Sequence, residues 1–232
     1  MENPEQYFLL TQERPDLFVN PEPGAITVVL EPETIARAEA TMREKLLAQG
    51  IEPASARAWS QVGLVYRDQY LLLLRDAVYL PDGSLGTYIR LIDPPESAPG
   101  VVILPLYQRQ ILLLRHFRHA TRGWHWEIPR GFGWPGLSSE ESACKELEEE
   151  IGVRPVRLVP LGKIHPNTGL TAECDELFYA EVEAYSQTDR SEAIGEIVPT
   201  PLPTFERLLR EQEITDSFTL AAYARARASG LL

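Results

Sequence analysis

Residues 131–153, GFGWPGLSSEESACKELEEEIGV, predict a helix whose end carries acids where a helix ordinarily avoids them. Ser138 and Glu141 have the spacing of a capping box, and Gly152 suits the left-handed residue just past a helix C-terminus. Glu148, Glu149 and Glu150 fall in the last turn, where the negative end of the helix dipole opposes each carboxylate by roughly 0.3–1 kcal/mol. Something has to compensate. A divalent cation is the simplest candidate, because hard ions such as magnesium take oxygen ligands from carboxylates, carbonyls, water and phosphate.

The register follows from the capping residues. At about 100° per residue with Ala143 as zero, Leu147 lies near ~40°, Ile151 near ~80° and Cys144 near ~100°, which makes one apolar stripe. On the same wheel Glu150 falls near ~340°, Glu146 near ~300° and Glu149 near ~240°, so the acids border the stripe instead of opposing it. Glu150 is therefore expected to be partly desolvated, and a half-buried carboxylate needs a proton, a cation or a metal. The ordinary alternative is a solvated charged face.

Upstream, VVILPLYQRQILLLRHFRH from Val101 reads as an apolar strand, a polar turn at Tyr107 to Gln110, and a second apolar strand running into Arg115, His116 and Arg118. Downstream, strands are expected near 156–164, 176–183 and 194–199, and helices at 203–211 and 215–228. The fold class is α/β (α+β), a mixed sheet between helices.

Several of these segments together resemble the Nudix hydrolase family. The box of that family reads Gly, five residues, Glu, seven residues, then Arg-Glu-apolar-x-Glu-Glu-x-Gly-apolar. Gly131, Glu146, Leu147, Glu149, Glu150, Gly152 and Val153 stand in place. Two positions depart: Leu137 replaces the first Glu and Lys145 the Arg. The resemblance implies that this missing pair braces the loop and orients the acids, while the later glutamates hold magnesium. Trp126-Glu127-Ile128-Pro129-Arg130-Gly131 resembles the run preceding the box in ADP-ribose pyrophosphatases. Arg118 matches a substrate-contacting strand arginine, and His165 to Glu173 resembles a substrate loop that places Glu173 beside the ligand. Glu213 to Ser217 matches the start of the family's last helix.

The resemblance implies an α/β/α sandwich and magnesium-dependent hydrolysis of the diphosphate of ADP-ribose, or a related nucleoside-diphosphate sugar, to AMP and ribose 5-phosphate. Manganese would be a substitute for magnesium. It implies metal ligation by Glu146, Glu149, Glu150 and the Arg130 carbonyl, and ligand contact by Arg118, Phe132, Glu173 and Trp126. A water-activating carboxylate is expected from SEAIGEIVP, where Glu192 is favoured as base and Glu196 as auxiliary ligand. Spacing alone does not choose between them, and both could be solvated loop acids. A ligand-sensing module of weak activity, motivated by Leu137 and Lys145, is one alternative. A hydrolase of another nucleotide sugar or a dinucleoside polyphosphate is another.

Charge favours these reaction classes over others. Metal ions can neutralise the anionic oxygens that shield phosphorus and acidify the attacking water, which is why converging carboxylates suit this chemistry. A net charge of −12 and a pI near 4.9 argue against binding a nucleic-acid backbone. Local arginines can still receive a small anion. Cys144 and Cys174 make no disulfide framework, and Cys144 reads as a buried thiol. The histidines at 116, 119, 125 and 165 lack zinc-site spacing. Trp124 and Trp126 could stack on a base or pack in the core, and Phe132, which the resemblance places against the ligand, is equally open to a packing role. No leader opens MENPEQYFLL and no apolar run reaches a membrane span, so a cytoplasmic location is the default.

Organisation along the chain suggests an N-terminal extension over 1–57, a strand region over 58–97 and the hydrolase domain over 98–232. Residues 1–31 are Pro-rich and mixed, whereas Pro32 to Gln49 has helical spacing, with Ile35, Ala38, Met42 and Leu46 on one side and Gly50 as a stop. Strands follow from Trp59, separated by turns at Tyr66-Arg67-Asp68 and Pro81-Asp82-Gly83. In the resembling family such strands join two subunits, which implies a homodimer here.

Overall fold

Alternation of buried side chains to both faces of one sheet is what builds the part of the chain that carries the box. The computed structural model describes residues 3–21, 25–94, 97–186 and 193–232. It falls into two compact units, Met1–Pro95 with Asn167–Ala172, and Glu96–Pro166 with Glu173–Leu232.

The first unit holds helix α1 (Asn3–Glu13), strand β1 (Thr27–Val29), helices α2 (Pro32–Ala48) and α3 (Pro53–Ser60), and strands β2 (Gly63–Arg67), β3 (Leu72–Tyr79) and β4 (Leu85–Ile92). Every pairing in its sheet is antiparallel, with β3 at the centre, β4 along one edge, and β2 and β1 sharing the other. The α2 expectation holds: Ala38 is fully buried, and Ile35, Met42 and Leu46 are partly so. Two helices escaped sequence reading. α1 lies in the stretch read as mixed, and α3 takes in Trp59, which sits in a last helical turn and does not begin a strand. The turn at Pro81-Asp82-Gly83 forms as expected, with Gly83 at φ +81°. Within the core of this unit Tyr7 donates to Asp76 Oδ1 at 2.6 Å and Arg90 Nε donates to Asp76 Oδ2 at 2.7 Å. Burial, with the Asp76 charge beside it, pushes the Tyr7 phenol well above its ordinary range.

The second unit runs β5 (Ala98–Tyr107), β6 (Gln110–Arg118), β7 (Gly123–Glu127), β8 (Arg130–Gly133), α4 (Ser139–Ile151), β9 (Arg157–Ile164), β10 (Asp175–Val182), β11 (Ile194–Pro201), α5 (Leu202–Arg210) and α6 (Ser217–Ala228). Its sheet is mixed, in the order β11-β6-β5-β10-β9, with β10 parallel to β5 and the other pairs antiparallel. Val102, Leu104, Ile111, Leu113, Leu177 and Tyr179 pack with Phe205, Phe218 and Ala222 of α5 and α6. Their neighbours Val101, Ile103, Leu112, Leu114, Phe178 and Ala180 pack with Ala143, Leu147 and Ile151 of α4. Period-two alternation with both faces apolar is what a sheet covered on two sides requires, so the α/β/α sandwich follows.

One departure from regular pairing opens the site. β5 and β6 pair only at Leu106↔Ile111 and Tyr107↔Gln110, across a tight turn in which Gln108 and Arg109 take φ of 48° and 63°. Beyond that point β6 pairs with β7, and β5 with β8. The box helix starts where the Ser138–Glu141 capping box places it, and not at the head of the 131–153 stretch. Gly131 to Gly133 lie in β8, and α4 begins only after Ser138, whose hydroxyl accepts the Glu141 N–H while Glu141 accepts the Ser138 N–H. Pro135 and Gly136 interrupt any helix there, because proline lacks an N–H and Gly136 takes a positive φ of 86°.

Candidate active site

Within the second unit a cavity of about 590 Å³ is lined by the start of β5, the end of β6, β8, and the inner face of α4. His116, Arg118, Arg130, Phe132, Trp134 and the α4 acids Glu146, Glu149 and Glu150 line it, together with Glu173, Asp175 and Phe218. The helix wheel orders the acids correctly. Glu150 is 3% exposed and Glu146 8%, while the Glu149 side chain is 44% exposed.

Compensation for these charges comes from several directions. Glu150 Oε2 accepts the Arg130 N–H at 3.1 Å, and His116 Nδ1 lies 3.9 Å from Glu150 Oε1. Glu149 is 3.6 Å from the Lys145 ammonium, and Glu148 pairs with Arg154, whose guanidinium holds that carboxyl below its ordinary range. Two of the three terminal acids thus have a cationic side chain beside them, one of the alternatives to a metal that the sequence reading offered. Desolvation raises the Cys144 thiol, which is half-buried and free.

Among the described residues no three His, Cys, Asp or Glu side chains are gathered closely enough to hold a metal ion. The donor chemistry nonetheless fits one. A Cβ at Gly131 would run into the Glu146 carboxylate, so the glycine keeps a cradle clear beside two buried carboxylates. Oxygen is the only donor type that Glu146, Glu149, Glu150 and the Arg130 carbonyl offer, as a hard divalent ion prefers.

The arginines are organised around a buried acid. Arg118 Nε donates to Glu127 Oε2 at 2.7 Å, and Arg130 approaches the same oxygen at 3.5 Å. Arg130 also stands 4.7 Å above the Phe218 ring and 3.8 Å from Asp216, the N-cap of α6. Glu127 is 2% exposed, and such a carboxylate is stable as an anion only when paired. Both guanidiniums are thereby fixed on the cavity wall.

Other expected ligand residues are placed differently from one another. Phe132 lines the cavity with 76% of its surface exposed, and Glu173 lines it while its carbonyl meets His165 Nδ1 at 3.0 Å. Trp126 packs against the α5–α6 side of the core, with Arg115 stacked 5.0 Å from its ring, and is not among the lining side chains. Trp124 lies edge-on to Phe117 at 5.5 Å. Glu196 is exposed on β11, opposite Arg115, and does not line the cavity. Glu192 lies outside the described residues.

Asp175 was missed. It is 6% exposed at the start of β10, lines the cavity, and occupies the space that a side chain on Gly100 would take. A lone aspartate opening a strand reads as a solvated turn residue, and only the apolar run Leu177 to Ala180 behind it hints that the position is enclosed.

An α/β/α sandwich with an acid-lined cavity at the split of its sheet is the class that the geometry defines. The NUDIX domain model matches residues 96–216, more than half of the chain, and the protein belongs to the Nudix hydrolase family. Enzymes of this family act on small nucleotide derivatives with a divalent cation. An ADP-ribose pyrophosphatase of Bacillus subtilis (strain 168) is 24% identical over 69% of this chain and 85% of its own length. The uridine diphosphate glucose pyrophosphatase NUDT14 of Mus musculus is 48% identical over 21% of this chain and 22% of its own. A solved structure described as an ADP compounds hydrolase superposes with a TM-score of 0.63 at 22% identity, covering 72% of this chain and 90% of that one, which bears on the fold. Among the described residues, no helix is long and apolar enough to cross a membrane.

Proposed function

We propose that the protein hydrolyses the diphosphate linkage of ADP-ribose or a related nucleoside-diphosphate sugar in a magnesium-dependent reaction, manganese being a substitute. Water adds at one phosphorus, the bridging P–O bond breaks, and ADP-ribose gives AMP and ribose 5-phosphate. The observation that carries the reading is the pair of buried carboxylates, Glu146 and Glu150, on the wall of the same cavity as Arg118 and Arg130. Similarity to an ADP-ribose pyrophosphatase and, over a shorter stretch, to a uridine diphosphate glucose pyrophosphatase supports the substrate class.

Glu146, Glu149, Glu150 and the Arg130 carbonyl would hold the metal, which supplies charge neutralisation at the diphosphate and a more acidic water. Arg118, held by Glu127, presents its remaining N–H donors to an anionic oxygen without having to be ordered on binding. Phe132 offers an exposed ring face to a base, and Glu173 a carboxylate to sugar hydroxyls. Glu192 is kept as the general base of this reading, whereas Glu196, exposed on β11 and outside the cavity lining, is not carried forward as an auxiliary ligand. Trp126 acts through packing beside these groups.

A homodimer through the strands of 58–97 and a cytoplasmic location belong to the same reading. Exposed Tyr66, Tyr70 and Tyr88 in that region support a contact surface, which sedimentation would test. The competing sensor reading is favoured by Lys145 standing beside Glu149. Incubating the chain with ADP-ribose, UDP-glucose and a dinucleoside polyphosphate, each with magnesium, manganese or chelator, separates the two by phosphorus NMR. AMP and ribose 5-phosphate from ADP-ribose are expected. Ligand binding with no phosphorus-containing product under any cation would overturn the hydrolase reading.

A further inference from the structure

Trp134 is fastened to α4 twice. Its main-chain N–H donates to the buried Ser142 Oγ at 3.2 Å, and its ring lies under the Lys145 ammonium, 2.8 Å from nitrogen to ring centroid. Its carbonyl closes the turn by accepting the Leu137 N–H at 3.0 Å. Lys145 also reaches Glu149 Oε1 at 3.6 Å, one helical turn further on. Both Trp134 and Glu149 line the cavity, whereas Lys145 does not.

We propose that Lys145, seated on the Trp134 ring, is a positioning residue that ties the 133–138 wall of the cavity to the acid at Glu149. An ammonium has three N–H donors and no acceptor, so it can face an aromatic ring and a carboxylate together. Positions 132–137 contain no acid that could hold Lys145 by an ion pair, and Leu137 is 42% exposed. The π face of Trp134 takes that place. Glu149, the most exposed of the three lining α4 acids, has its rotamer restrained by a cation whose own position the ring sets. Releasing either partner should loosen the wall and the acid together.

This inference rests on the cavity being the hydrolytic site, and its test separates the two. Lys145→Met, Trp134→Leu, the double variant and Lys145→Arg are compared in the full chain. Amide hydrogen exchange at Leu137 is followed without ligand, and KM and kcat for ADP-ribose with magnesium. Each single change is expected to speed exchange and raise KM by about three- to tenfold, the range of one partly exposed cation–π contact. KM should rise more than kcat falls. The double variant should be no worse than the singles, and Lys145→Arg should restore both readouts. Additive effects on exchange, or failure of arginine to restore it, would overturn the tether. Coupled exchange in a chain that turns over no nucleotide would leave the tether standing and remove the functional reading.

Discussion

Glu150 accepts the main-chain N–H of Arg130 through Oε2 at 3.1 Å, which joins the last turn of α4 to the residue preceding the box glycine. The bond fixes both the carboxylate and the strand end beside it. Glu150→Gln keeps an acceptor for that N–H and removes the charge. Changes in groups that merely orient a metal's ligands cost about 10- to 100-fold, so losing a ligand's charge should lower kcat by about 100-fold or more. Thermal unfolding should be nearly unchanged, because the chain geometry is kept. Near-normal turnover in a folded Gln variant would refute the metal assignment.

Gly131 is needed for space. Its φ is not in the left-handed region, so the objection to a side chain there is the Glu146 carboxylate that a Cβ would meet. Gly131→Ala should displace Glu146, abolish most turnover, and cost about 1–3 kcal/mol in denaturant unfolding, as overpacking does. Gly86→Ala, where nothing lies within 4 Å of the added carbon, is the control and should leave activity intact. Equal activity in the two variants would mean that Glu146 does not need its place.

What was legible in the sequence was local. Ser138, Glu141 and Gly152 set the helix boundaries through bonds spanning at most a few positions, and alternation in Val101 to Arg118 gave both faces of the central strands. α1 was not legible because its anchors in the core, Tyr7 and Leu10, are too few to mark a stripe. α3 is a short helix whose Ala56 is buried while Trp59 is 52% exposed, the reverse of what its composition suggests. Site residues followed the same division. The α4 acids share a helix and could be placed by angle, whereas Asp175 reaches the cavity only because β10 runs parallel to β5, and Lys145 meets Trp134 only through the loop's path.

Arg118 is expected to serve stability and binding at once, and the two can be separated. Arg118→Ala leaves the buried Glu127 with Arg130 at 3.5 Å as its remaining arginine, so unfolding free energy should fall by about 2–3 kcal/mol. KM for a diphosphate substrate should rise by at least about tenfold, one charge-assisted contact being worth roughly that. Adding Glu127→Gln removes the stranded charge and should recover most of the stability but not the KM. Recovery of both would show that Arg118 acts only by holding Glu127.

Tyr7 provides a test of pH dependence in the first unit. Its phenol donates to Asp76 and is buried, so the folded chain keeps the proton at pH values where an unfolded tyrosine, near its ordinary value of about 10, gives it up. With a raised folded value, the contribution is fully present below about pH 10 and is lost as pH rises beyond it, since the folded state then binds more protons than the unfolded one. Tyr7→Phe preserves the ring packed edge-on against Phe18 at 5.4 Å and removes the donor. At about pH 8 it should cost about 1–3 kcal/mol, the usual range for a buried acceptor losing its partner, tempered here by Arg90 on the same carboxylate. Above about pH 10 the gap between the two proteins in urea unfolding should narrow, because only the parent chain has this proton to hold. A gap that stays constant or widens with rising pH would mean that the Tyr7 hydroxyl is not the group linking folding to alkaline titration.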